Sequence, residues 1–164
     1  MERVRLRPYG PGDAAATRDV FFRAVRETAR ADYTAEQVAA WAPAAVDLDG
    51  WHERLLRNRT VVAVDDEGRV LGFSDADEDG FVDMLFVLPD VVGRGIAGAL
   101  LDHVLERARS EGATSAGTRA SLTARGFFEH KGFRVVEEHH PVRQGVRLTN
   151  FLMTRPLTAR DADR

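Results

Sequence analysis

Three glycines and the residues between them carry the plainest chemistry in this chain. Gly93, Gly95 and Gly98 punctuate the run Val92-Gly93-Arg94-Gly95-Ile96-Ala97-Gly98-Ala99, where an apolar strand passes into a helix. Backbone N–H groups in the first turn of a helix lack intrahelical partners, and the helix dipole adds partial positive charge there. Residues without a bulky Cβ let a phosphate approach those groups closely. The stretch therefore points to a phosphate-bearing ligand.

The second chemistry is a carboxylate. Asp83 lies on the strand Phe81–Leu88 that feeds the turn, and strict alternation puts its side chain on the face of Phe81 and Leu85 unless a bulge intervenes. A half-buried carboxylate there has a raised pKa and accepts a proton from an ammonium, directly or through water. The other reading makes Asp83 a structural acceptor for backbone N–H groups. The acids Asp75, Asp77, Glu78 and Asp79 read as a solvated turn. With Asp83 behind them, they favour cationic small amines or amino-terminal groups over acidic substrates.

Other reactive residue types fit structural roles better. His139 and His140 are adjacent on a strand, so they point to opposite faces and do not share a metal; no metal is expected. His103 falls at the solvent edge of a long helix. Tyr33, Trp41 and Trp51 are core by default. Without cysteine there is no disulfide, thiol nucleophile or thiolate metal site.

The elements that position these residues follow from periodicity. Arg3–Arg7 alternates as a strand with Val4 and Leu6 inward. Pro8 to Gly12 breaks it, and Asp13 is placed to N-cap a helix whose stripe is Val20, Phe21, Ala24, Val25 and Thr28. Thr34-Ala35-Glu36-Gln37 has capping-box form and opens a short helix that Pro43 stops. A helix over 51–57 buries Trp51, Leu55 and Leu56. Strands at 60–64, 69–74 and 81–88 form a meander. The helix after the glycines carries Leu100, Leu101, Val104, Leu105 and Ala108. A strand at 114–118, a helix at 122–131 and strands at 133–139 and 146–154 complete an α/β fold with one mixed sheet. Residues 1–157 form one domain and 158–164 a frayed tail.

The 164 residues suit a single domain with its own core, and 44% hydrophobic with 30% charged content is ordinary for a globular protein. No segment has the apolar length of a membrane span or the h-region of a leader, so a cytoplasmic protein without membrane attachment is expected. A net charge of −3 argues against nucleic acid as partner. A second copy of the chain, forming a homodimer, is a partner compatible with this composition.

Gly93-Arg94-Gly95-Ile96-Ala97-Gly98 literally matches the dinucleotide fingerprint GxGxxG. That fingerprint belongs in a tight turn straight after a strand, with an acid about 20 positions later. Here Leu88-Pro89-Asp90-Val91-Val92 intervenes, and the strand at 114–118 ends without an acid. No Gly-Lys-Ser/Thr follows, which excludes a Walker A loop.

The run Val92-Gly93-Arg94-Gly95-Ile96-Ala97 instead resembles the Gln/Arg-x-x-Gly-x-Gly/Ala motif of the GNAT superfamily of acyl-CoA-dependent N-acetyltransferases, with Val92 departing at the first position. Ser121, Ala124, Phe127-Phe128 and Gly132-Phe133 resemble the second motif of that superfamily. The likeness extends to bacterial members sharing Ala120-Ser121-Leu122-Thr123-Ala124-Arg125 and Tyr33-Thr34-x-Glu36-Gln37 with Trp41-Ala42-Pro43, and covers nearly all of residues 3–157.

The resemblance implies a GNAT-like sheet, partly splayed and flanked by helices, with acetyl-CoA as co-substrate. The pantetheine arm would insert between the strands at 81–88 and 114–118. Leu85 would meet the acetyl carbonyl, with Phe86 and Val87 along the pantetheine. The N–H groups from Val92 to Ala99 would hold the pyrophosphate with Arg94 nearby, and Ser121 and Phe128 would border the cofactor. The superfamily's Glu base falls on Phe81 and its Tyr acid on Phe128, leaving Asp83 as nearest base and water as proton source for the thiolate. Tyr33 and Trp41 would contact the acceptor. The implied activity is acetyl transfer from acetyl-CoA to a primary amine by direct attack in a ternary complex. The alternatives are a non-catalytic acyl-CoA-binding module and a dinucleotide-dependent oxidoreductase.

Overall fold

Valine-rich strand segments and helix-period apolar stripes assemble an α/β fold, which the computed structural model describes over residues 3–157. The tail expected at 158–164 lies outside the described residues. In chain order, β1 (Arg5–Pro8) precedes α1 (Ala14–Arg23), which continues through one π-helical turn (Ala24–Thr28). Next come α2 (Ala35–Trp41), α3 (Leu48–Arg57), β2 (Val61–Val64), β3 (Val70–Ser74), β4 (Phe81–Val82) and β5 (Leu85–Val87). After the glycine turn stand α4 (Ile96–Ser110), β6 (Ser115–Ser121), α5 (Arg125–His130), β7 (Arg134–His139), β8 (Val142–Arg143), β9 (Val146–Arg147) and β10 (Asn150–Pro156).

The sheet is splayed so far that its pairing divides into two four-stranded ladders, β1-β2-β3-β5 and β4-β6-β10-β7, with β8-β9 a separate hairpin. Every pairing is antiparallel except β4 with β6. The expected continuous strand over 81–88 is therefore two strands in different ladders. The break falls at Asp83-Met84, where the buried Asp75 carboxylate takes over the backbone pairing: its Oδ1 accepts from the N–H of Asp83 at 2.8 Å and of Met84 at 3.1 Å.

Both faces of the first ladder are covered. Helix α4 lays Leu100, Leu101, Val104 and Leu105 on one face, close enough that a Cβ on Gly72 would lie 3.3 Å from Leu100 Cδ1. The opposite face is aromatic: Phe73 meets Trp51 at 5.9 Å and Phe86 at 5.8 Å, and Phe21 stands edge-on to Phe86 at 5.0 Å. Burying several such rings contributes most of the local stability, at roughly 25 cal/mol per Å² of apolar surface.

Some local expectations are corrected. Val4 precedes β1 and is exposed, because the ladder begins only at Arg5. Leu56 is exposed while Trp51 and Leu55 are buried, the helix turning one side only to the core. Asp13 does not cap α1; it accepts from the Gly10 N–H at 2.8 Å and from both Arg7 amino groups. The helix expected from Leu122 starts at Arg125, after a turn in which Ser121 Oγ accepts the Ala124 N–H at 3.0 Å. The capping box at Thr34 forms as expected. No helix among the described residues is long and apolar enough to cross a membrane.

Candidate functional site

The divergence of β5 from β6 leaves a cleft of about 240 Å³ walled by Leu85, Phe86, Val87, Ser121, Thr123 and Phe128. Its inner edge is unpaired backbone. Leu88 N–H donates to Leu71 C=O at 2.8 Å and Met84 C=O accepts from Asp75 N–H at 3.2 Å, so even-numbered residues pair with β3. By alternation the N–H and C=O groups of Leu85 and Val87 face the gap. A ligand laid along β5 finds a row of donors and acceptors that no strand among the described residues uses.

At the mouth of the gap stands the glycine turn. Gly93 and Gly95 adopt left-handed backbone (φ 89° and 81°), and no atom lies within 4 Å of where a Cβ would project from either. The first bond of the helical ladder runs from Ala99 N–H to Gly95 C=O at 3.0 Å. Ile96, Ala97 and Gly98 thus present N–H groups ahead of the ladder, while that of Ala99, expected among the phosphate donors, is already engaged. Val92 and Ala97 line the cleft itself, and Ile96 turns its side chain into the core. Arg94 is exposed beside the turn. Lys131, not anticipated from sequence, brings Nζ to 3.8 Å from the position of a Gly98 Cβ and pairs with Asp102 at 2.8 Å.

Inside the cleft one polar atom lacks a partner. Thr123 Oγ1 is buried, and among the described residues no group bonds to it. A buried hydroxyl without a hydrogen bond costs about 1–3 kcal/mol. Thr123 lines the cleft, but this oxygen is itself covered and meets a ligand only after its side chain rotates. Phe128 forms the floor, buried against Phe127 and Phe133 with centroids 5.3 and 5.1 Å away.

The expected carboxylate sits elsewhere. Asp83 is not half-buried beside Leu85: the break at Asp83-Met84 turns it toward α3, where its 41% exposed side chain meets Arg54 at 2.7 Å and Asn58 at 3.1 Å. It borders a separate acidic cavity with Asp75, Asp77, Glu78 and Glu111. Within that acidic run Asp75 is the exception to the solvated reading. It is 1% exposed, and burial pushes its carboxyl up to about 6. Its bonds from the Asp83 and Met84 N–H groups and from Asn58 pull the other way. The raised carboxylate expected at Asp83 is found at Asp75, with both oxygens committed to holding the break open.

Of the aromatic residues, Trp41 lines the cleft and Tyr33 does not face it. Tyr33 is buried, and burial raises its pKa; its hydroxyl donates to Thr149 C=O at 2.5 Å and accepts from Leu122 N–H at 2.9 Å. Tyr33 thereby ties α2 to the ends of β6 and β10, behind Trp41 at 5.5 Å. The His139 and His140 rings go to separate partners, Glu137 at 3.2 Å and Glu138 at 2.9 Å. Among the described residues no group of three His, Cys, Asp or Glu side chains is placed to hold a metal.

A sheet parted at its middle, with a glycine-started helix at the mouth of the gap, defines a fold that receives a long phosphate-tailed ligand edge-on. The chain belongs to the GNAT acetyltransferase family: residues 29–155 match the acetyltransferase (GNAT) domain. It is 36% identical over 153 residues to the uncharacterized N-acetyltransferase YafP of Escherichia coli (strain K12), spanning 93% of this chain and 96% of that one. A GCN5-related N-acetyltransferase from Rhodopseudomonas palustris superimposes with a TM-score of 0.90 at 34% identity, over 96% of this chain and 98% of that one. YncA from Salmonella typhimurium, solved with its cofactor acetyl-CoA, shares the fold at a TM-score of 0.69 and 23% identity, over 98% and 99% of the two chains.

Proposed function

We propose that this protein transfers the acetyl group of acetyl-CoA to a primary amine, with the β5–β6 gap as the cofactor site. The observation that carries this reading is the free backbone edge of Leu85 and Val87 facing the gap. The glycine turn fits the same ligand at a further point. When bound, acetyl-CoA supplies an activated thioester carbonyl.

In this reading the N–H groups of Ile96, Ala97 and Gly98 hold the pyrophosphate, with Arg94 and Lys131 beside them. The Leu85 N–H bonds to the acetyl oxygen and strengthens its hold as negative charge grows there. The neutral amine nitrogen bonds to the carbonyl carbon, the carbon–sulfur bond breaks, CoA leaves as thiolate, and the nitrogen gives up its second proton to solvent water as the amide forms. With no cysteine in the chain, a covalent acetyl-cysteine enzyme has no place, so attack is direct. Phe128 has no proton to give, and we assign Thr123 Oγ1, once its side chain has rotated toward the cleft, as the hydroxyl for the departing sulfur. An alkylammonium is mostly protonated at pH 7 and must lose its proton first. Asp83 is the exposed carboxylate closest along the chain to Leu85, and we assign it the relay of that proton through water.

Thiol release from acetyl-CoA, measured against a panel of amines, amino acids, polyamines, aminoglycosides and peptides, tests the reading. Release above the rate without acceptor is expected for at least one primary amine. No release with any of them, together with tight acetyl-CoA binding, would make this a non-catalytic acyl-CoA-binding module.

A further inference from the structure

A second cavity, of about 320 Å³, adjoins the cleft and shares Trp41 with it. Arg18, Phe21, Trp51 and Arg54 line its remaining sides. Phe21 stands edge-on to Phe86, a cleft residue, so the two spaces are separated by little more than aromatic side chains. A molecule reaching the acetyl carbonyl past Trp41 has its far end here.

The charges in this cavity are unequally matched. Arg54 is held by Asp83, and Asp47 is engaged as the N-cap of α3, accepting from Gly50 N–H at 3.1 Å. Arg18 differs from the ion-paired arginines of the chain. Arg7, Arg23, Arg59, Arg69 and Arg109 each pair with a carboxylate. Among the described residues Arg18 bonds only to a backbone carbonyl, that of Pro43 at 2.8 Å, and lies over the rings of Phe21 at 5.0 Å and of Phe22 and Trp51 at 5.8 Å. The like-charged Arg26, which donates to Ala42 C=O at 2.9 Å, acts on it by repulsion. Burial and that repulsion both disfavour the charged guanidinium.

A guanidinium has five N–H donors in a planar fork, and such a fork matches a carboxylate bidentately. The cation–π contacts orient the fork without neutralising it. We propose that Arg18 is the anchor for an anionic group on the acceptor, and that the acceptor is a zwitterionic amino acid whose carboxylate binds in the Arg18–Trp41 cavity while an amino group several bonds away from it, on a side chain or at the end of a longer backbone, enters the cleft. This assignment rests on acetyl transfer as the function of the cleft. It also replaces the expectation, drawn from the acidic turn, that acidic groups are unwelcome. The turn acids border the other cavity, and Arg54 faces Asp83 between the two.

Two measurements test it. In thiol release, amino acids are compared with their amides and their decarboxylated amines at saturating acetyl-CoA. The free carboxylate is expected to raise kcat/KM at least tenfold. Arg18→Gln should erase that preference through KM, leave decarboxylated amines unchanged and leave acetyl-CoA affinity unchanged, while Arg18→Lys restores part of it. Equal use of acids and amides by the wild type, or an Arg18→Gln loss that strikes both alike, overturns the proposal. The second readout is independent of catalysis. Trp41 and Trp51 are the chain's two tryptophans, and both line this cavity. Their fluorescence should respond saturably to amino acids in the presence of CoA, and not to decarboxylated amines or in Arg18→Gln. A carboxylate-dependent fluorescence response without any thiol release supports the anion site and overturns acetyl transfer. Thiol release confined to uncharged or cationic amines, with no such response, does the reverse.

Discussion

Asp75 and Met84 bind each other twice: Asp75 N–H donates to Met84 C=O at 3.2 Å, and Met84 N–H donates to Asp75 Oδ1 at 3.1 Å. The first bond continues the β3–β5 ladder, and the second ends it. The same Oδ1 accepts from Asp83 N–H, so one buried carboxylate satisfies the two donors exposed where the strand leaves one ladder for the other. The gap between the two ladders therefore begins at a buried side chain outside the cleft lining.

Stability should record this arrangement. Burial raises the Asp75 carboxyl to about 6, above its unfolded value, so its contribution to stability is fully present below about pH 4 and is lost as pH rises through 6. At 1.36 kcal/mol per unit, the whole effect is about 3 kcal/mol. Denaturant unfolding of wild type and Asp75→Asn between pH 4 and 7 should show the difference between the two proteins changing by that order. Parallel pH dependences would contradict it. Asp75→Ala leaves two N–H groups without an acceptor and should cost about 2–5 kcal/mol at any pH in that range.

The glycine turn makes a prediction about affinity. Gly95→Val places a β-branched side chain at φ 81°, in the space where a phosphate would approach. CoA binding should weaken by at least about 2 kcal/mol, or roughly 30-fold, as bonds to a charged group are lost. Calorimetric titration at a temperature where the variant is folded measures this. An unchanged Kd would remove the turn from the cofactor site.

Thr123→Val separates structure from chemistry. Removing an unpartnered buried hydroxyl should leave stability unchanged or raise it by about 1 kcal/mol. The transfer rate should nevertheless fall roughly tenfold, since the departing sulfur loses its nearby donor. A variant both more stable and fully active would show that the hydroxyl serves nothing in the cleft.

Asp83→Asn should lower kcat by roughly tenfold near neutrality, below the 10²–10⁴ of a directly contacting base, because relay through water lets solvent compete. The loss should shrink at high pH, where free amine is abundant. A wild-type rate and pH profile would mean that Asp83 serves only to hold Arg54.

The glycine turn, the apolar stripe of α4 and the capping box at Thr34 were legible because each depends on residues adjacent along the chain. The break at Asp83-Met84 was not, because alternation counts through a bulge as if it were strand. That one error moved Asp83 from the cleft to α3 and hid the role of Asp75, whose neighbours Asp77, Glu78 and Asp79 read as solvent. Composition does not tell which acid of a run folds inward. Thr123 offered no signal, being one threonine in a turn, and nothing in the sequence singled out Arg18 among the chain's many arginines. Tyr33 was recognisable as core, but its two backbone partners are distant in sequence, at Leu122 and Thr149.

The account turns on the Leu85 N–H facing the gap, and one comparison isolates that single bond. Leu85→Ala keeps the N–H and removes the side chain; Leu85→Pro removes both, without taking a donor from the β3 ladder. Steady-state thiol release at saturating acetyl-CoA and acceptor should show Leu85→Pro slower than Leu85→Ala by about 10²–10³ in kcat, the usual loss for an oxyanion donor. The Kd of acetyl-CoA should agree within a few-fold between the two. Equal kcat values for folded Leu85→Pro and Leu85→Ala would place the reacting carbonyl somewhere other than this edge.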